Sequence, residues 1–146
     1  MNKEQRIKNY TTSIGWMQTV NEIERMLVDI GAEIVIKNYR GDGRIESLSF
    51  KYEGRGYRLP SNTEKCVERL KEIPGHKRST QDLEAQAERV AWRVIKDWLD
   101  AQIALIRIGQ AEVQQVMLPY MWDGKQSLYD RLKENQFMLP DGKKRD

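Results

Sequence analysis

The stretch QAERVAWRVIKDWLDAQIALIRIG, Gln86 to Gly109, decides the fold, because its apolar residues recur at helical spacing with no proline among them. At about 100° per residue, Arg89, Arg93, Lys96, Asp100 and Arg107 share one narrow face, and Val90, Val94, Trp98, Ala101 and Leu105 fall opposite. The pattern predicts one long helix with a charged strip and a wide apolar arc that forms the centre of the core. Trp98 is in the middle of that arc and reads as core. Trp92 is near its edge, where an exposed stacking role competes with burial. Ser79 or Thr80 can cap the helix start, and Asp82 and Glu84 suit the positive end of its dipole. The arc is wider than one small sheet covers, so self-association into a homo-oligomer is a further expectation.

Upstream, Trp16, Val20, Ile23, Met26, Leu27 and Ile30 repeat at helical spacing up to Gly31, which predicts a first helix over residues 15–30 behind a charged lead-in. Ala32 to Tyr39 is rich in β-branched residues. Arg40-Gly41-Asp42-Gly43 then supplies turn chemistry, and Leu48, Phe50 and Tyr52 alternate with Ser47, Ser49 and Lys51, as in a hairpin with one buried face. Gly54-Arg55-Gly56 leads to a short third strand, Tyr57-Arg58-Leu59, stopped by Pro60. Ser61-Asn62-Thr63-Glu64 matches a capping box for a second helix that buries Val67 and Leu70 and ends before Pro74-Gly75.

Beyond a polar loop at residues 74–79 lies the long helix. Ala111 to Met117 reads as a short helix, Leu118 to Trp122 as an apolar extended corner, Asp123-Gly124 as a turn and Ser127 to Asn135 as a last short helix. The expected class is α+β: an N-terminal helix, a three-stranded antiparallel β-meander, a helix, the long central helix and short C-terminal helices. Residues 1–146 read as one domain, with an α-β-β-β-α part over 11–73, a helical part over 79–139 and a basic tail over 140–146.

Composition narrows the chemistry. A chain of 146 residues, 39% apolar and 32% charged, can bury a core, so global disorder is not expected. Cys66 is the only cysteine and His76 the only histidine, which removes an internal disulfide and a structural zinc site within one chain, and leaves one histidine in a Pro-Gly loop to serve every base role of a Ser-His-Asp or Cys-His set. Cys66 reads as a packed small hydrophobe on the second helix. Neither a P-loop nor a dinucleotide fingerprint occurs, and Gly41, Gly43, Gly54 and Gly56 are explained by turns. Asp97 and Asp100 could hold a divalent ion, but each has a basic residue four positions earlier, Arg93 and Lys96, and reads as half of a helix-surface ion pair. No catalytic residue, metal site or cofactor is assigned. The absence of an apolar signal core in MNKEQRIKNYTT and of a membrane-length apolar run predicts no membrane association and a cytoplasmic setting.

Two surfaces remain. The net charge of +3 permits a nucleic-acid partner, and Arg40, Arg44, Arg55, Arg58, Lys65 and Arg69 gather on the turns, strands and second helix as candidate phosphate contacts. The helix–strand–strand–strand–helix order up to Glu72 is that of the double-stranded RNA-binding domain, a fold-level analogy in which Glu64, Glu68 and Glu72 interrupt the basic set. The other surface would serve a protein partner through Arg89, Arg93 and Lys96, or through the corner Tyr120-Met121-Trp122.

ERVAWRVIKDWLDAQIALI, Glu88 to Ile106, together with LPYM, Leu118 to Met121, resembles small proteins of bacteriophages and integrated mobile elements. That resemblance implies accessory work in the bacterial cytoplasm, in replication, recombination or counter-defence, and carries over no site residue. The expected function is a non-catalytic accessory protein that binds nucleic acid through the basic meander and helix surface. The alternative is a protein–protein interaction module, such as an inhibitor of a host defence complex.

Overall fold

The computed structural model describes residues 6–75 and 78–139. His76 and Lys77 of the Pro-Gly loop, the first five residues of the lead-in and the tail over 140–146 lie outside the described residues. The fold is α+β. Helix α1 (Trp16–Asp29) precedes strands β1 (Ile34–Tyr39), β2 (Ile45–Tyr52) and β3 (Arg55–Pro60), and then helices α2 (Thr63–Lys71) and α3 (Thr80–Arg107). Helix α4 (Val113–Met117), a 3-10 turn at Leu118–Tyr120 and helix α5 (Leu128–Glu134) complete it. The three strands form one antiparallel sheet in the order β1-β2-β3.

Strict alternation on β2 would turn Glu46 inward, but the chain avoids this with a register irregularity. Asn38 pairs with Ser47 while Tyr39 pairs with Ile45, so Glu46 is bulged out to solvent and Ile45 joins Leu48 and Phe50 in the core. Where α1 turns into β1, Gly31 has φ +110°, and a Cβ there would meet the Tyr52 ring at 3.1 Å. The cap of α2 differs from expectation. Asn62 rather than Ser61 is the N-cap and accepts from the Lys65 amide at 3.2 Å, whereas the Ser61 hydroxyl donates to the Glu46 carbonyl. Ser79 caps α3, accepting from the Asp82 amide.

The long helix packs on two sides rather than one. Leu83, Ala87 and Val90 meet Cys66 and Leu70 of α2. Trp92, Leu99 and Ile103 meet Val20, Ile23 and Leu27 of α1 and the inner face of the sheet. Val90 and Trp92 are about 200° apart on the helix, which places the two contacts on opposite faces. The predicted single arc is therefore corrected: of its members only Val90 is buried, Trp98 is half-buried with its ring edge-on to Tyr120 at 5.5 Å, and Ala101 is exposed. Trp92 is 0% exposed, which removes the stacking role considered for it. A 28-residue helix spans about 42 Å, longer than any one partner here, so its apolar residues divide between neighbours.

Candidate interaction site

The six basic residues do not converge. Arg40 and Arg44 flank the β1–β2 turn, and Arg55 begins β3 at the opposite end of the eight-residue β2, a separation of about 25 Å. Arg58 is on the outer face of the sheet, and Lys65 and Arg69 are exposed on α2. Three of the six are already engaged. Arg40 is bound to Glu88 at 2.8 Å, Arg69 pairs with Glu72 at 3.2 Å, and the Arg58 guanidinium lies over the Trp122 ring at 3.9 Å. Arg44, Arg55 and Lys65 form no ion pair among the described residues.

The charged strip of α3 is occupied too. Arg93 reaches Glu22 of α1 at 2.9 Å, Lys96 bridges Glu22 and Asp100, and Arg89 donates twice to Gln86. Two elements that each bury an apolar face are thus clamped along their rim by ions. Lys96 and Asp100 form the expected pair, but Asp97 does not take Arg93. Its carboxylate accepts from Asn9 Nδ2 at 2.7 Å and faces Lys8 at 3.1 Å, and this hydrogen bond first, then the lysine, holds its pKa below the usual carboxylate range. Gln86 Nε2 donates to the Tyr10 and Thr12 carbonyls as well, so part of the lead-in is docked on α3.

The residue that sequence reasoning missed is Glu88. Its side chain is 0% exposed and accepts from Arg40 at 2.8 Å, Thr63 Oγ1 at 2.8 Å and Trp92 Nε1 at 3.1 Å. One carboxylate therefore ties the β1–β2 turn, the start of α2 and α3 together. An acid among apolar residues at Trp92 minus four was the available signal, but the partner arginine is 48 positions away. Cys66 stands nearby, and burial, reinforced by the Glu88 charge, pushes its thiol from 9.0 to about 11, which suits packing rather than nucleophilic chemistry. Among the described residues no group of three or more His, Cys, Asp or Glu is placed to hold a metal ion, and no helix is long and apolar enough to cross a membrane.

What the structure does bring together is Arg58 from the basic set with Tyr120 and Trp122 from the apolar corner. That corner is not extended as expected. Pro119 suits the first turn of a 3-10 helix, after which Met121 bridges to Tyr57 and the Trp122 amide donates to the Gly56 carbonyl at 2.9 Å. The turn at Asp123, whose carboxylate accepts from the Lys125 and Gln126 amides, folds the chain back so that α5 follows. Between the outer face of the sheet and this returning segment is a groove of about 490 Å³, lined by Arg58, Pro60, Pro119, Tyr120, Trp122 and Tyr129, with Glu46 and Asp130 as its acids. Beneath it Asn38 Nδ2 donates to Ser47 and Ser49, and Arg58 Nε donates to Ser49 at 3.3 Å. Arg58 is thereby fixed on both its polar edge and its flat face. Comparison with family models, curated proteins and solved structures found no match for this chain.

Proposed function

We propose that this protein is a non-catalytic interaction module that binds an extended, proline-containing segment of a partner protein in the groove around Arg58, Tyr120, Trp122 and Tyr129. The carrying observation is the lining of that groove: three aromatic rings and two prolines on rigid backbone, with two carboxylates and a single stacked arginine. Aromatic-lined grooves accept polyproline II segments because such segments are already extended before binding and lose little entropy. Glu46 and Asp130 favour a basic residue in the ligand. Trp, Tyr and Arg are also the residue types that dominate binding energy at protein interfaces. In the mobile-element context that the sequence resemblance implies, the partner is a host or phage protein complex.

Nucleic-acid binding stands as a second reading, favoured by Arg44, Arg55 and Lys65, which have no acidic partner among the described residues. Fluorescence anisotropy separates the two. Labelled peptides carrying prolines and an arginine are titrated beside single- and double-stranded DNA and RNA, at low and near-physiological salt. The module reading expects peptide binding that Trp122→Ala loses and that salt changes little. Strongly salt-dependent binding of a nucleic acid, lost in Arg55→Glu and retained in Trp122→Ala, would replace it with the second reading.

A further inference from the structure

The chain turns back sharply after α5. Gln136 and Phe137 both adopt left-handed backbone, φ 55° and 60°, which residues with a Cβ enter only at a cost. The reversal is held by the Phe137 amide, which donates to the Leu132 carbonyl at 2.6 Å, and by Asn135 Nδ2, which donates to the Met138 carbonyl at 3.1 Å. It returns Phe137 to the first turn of α5, where its ring meets that of Tyr129 at 5.7 Å. Tyr129 and its neighbour Asp130 line the groove around Trp122, so the chain comes back to the wall of that groove. There Phe137, Met138 and Leu139 are 56%, 66% and 79% exposed, three successive apolar side chains immediately before the segment 140–146, which lies outside the described residues.

The sequence of that segment, Pro140-Asp141-Gly142-Lys143-Lys144-Arg145-Asp146, carries a proline followed by three consecutive cations that outnumber its two acids. A proline and a basic residue are what the aromatic rings and the carboxylates of Glu46 and Asp130 ask of a ligand. We infer that residues 140–146 occupy the groove of their own chain, Pro140 on its aromatic wall and Lys143 to Arg145 against Glu46 and Asp130, so that an outside ligand must displace them, a regulation that rests on the reading of the groove as a peptide site. Seven residues beyond Leu139 reach about 23 Å when extended, against about 10 Å for the whole of α5 beside the groove. Proximity makes weak contacts sufficient. A short linker holds a segment at an effective concentration near 1 mM, so an intrinsic affinity of only about 0.1 mM fills the groove most of the time and weakens outside ligands about tenfold.

Two measurements on the full chain test it, comparing native protein with a variant that carries Lys143→Gln, Lys144→Gln and Arg145→Gln. By NMR, the Trp122 Nε1–H resonance, assigned by its absence in Trp122→Phe, should differ in position between the two, and dilution should not change the difference. By fluorescence anisotropy, a labelled peptide of prolines and one arginine should bind the variant about tenfold more tightly than the native chain, and Trp122→Ala should remove binding in both. Removing the same charge from α2, with Lys65→Gln, Arg69→Gln and Lys71→Gln, should leave peptide affinity at the native value. Coincident Trp122 resonances overturn the inference, as does equal peptide affinity in native chain and variant, or the same gain in the α2 control. In those cases peptide binding that Trp122→Ala loses leaves the groove reading standing. A resonance difference that disappears on dilution assigns the segment to a second copy and overturns its docking within one chain. A peptide bound by neither protein defeats the groove reading first, and the inference with it.

Discussion

At the scale of single residues, Glu88 is the most consequential side chain, because a buried carboxylate is tolerated only while its donors are in place. Truncation to Ala strands Thr63 Oγ1 and Trp92 Nε1 without an acceptor and leaves Arg40 only the exposed Asp42, 3.5 Å from its Nε, as counter-ion. Glu88→Ala should cost about 3–5 kcal/mol in urea denaturation, and an unchanged midpoint would contradict the role given to it. Tyr57 is the opposite case. It is 1% exposed, its ring stacks on Phe50 at 5.2 Å, and its hydroxyl has no hydrogen-bond partner among the described residues. Burial without a partner also raises its pKa. Removing that hydroxyl while keeping the ring deletes an unsatisfied group, so Tyr57→Phe should leave stability unchanged or raise it by about 1 kcal/mol. A clear loss of stability would mean that the hydroxyl is satisfied in solution.

At the scale of elements, the packing of α3 on two faces orders its tryptophans. Trp92→Ala should cost about 3–5 kcal/mol and Trp98→Ala distinctly less, the reverse of what the periodic arc alone suggests. Equal losses would count against the two-sided packing. Helix α2 carries its own signature. The Cys66 thiol, raised from 9.0 to about 11, adds stability that is complete below pH 9 and lost as pH rises through 11, since the unfolded thiol ionises first. Native protein should therefore show an alkaline fall in melting temperature that Cys66→Ala diminishes, and its thiol should react slowly with a disulfide reagent at neutral pH until unfolded. The elements themselves were legible, because helix spacing from Trp16 to Leu27, the Gly-rich turns and the Ser79 cap are local signals. The partner of each face was not. Periodicity reports that Leu99 and Leu105 are both apolar, but which neighbour covers which side of α3 depends on contacts between distant segments, such as Arg93 with Glu22 or Asn9 with Asp97.

At the scale of the whole molecule, the same limit separates the basic residues that look adjacent in the sequence. Arg40 and Arg58 are both near turns in the chain, yet one faces a buried carboxylate and the other an indole ring. The sequence singled out Tyr120 and Trp122 for their apolar corner and Arg58 for its charge, whereas the groove that all three line requires β3 and α5 to be placed beside one another. An interaction module built this way would concentrate binding on a few aromatic rings. The most direct test is isothermal titration of a proline- and arginine-containing peptide into the native chain, Trp122→Ala and Tyr129→Ala, the last removing a ring that is 49% exposed. The account predicts measurable binding to the native chain and a loss of about thirtyfold or more in Trp122→Ala, with a smaller loss in Tyr129→Ala. Absence of binding to the native chain, or equal affinity in all three proteins, would contradict it.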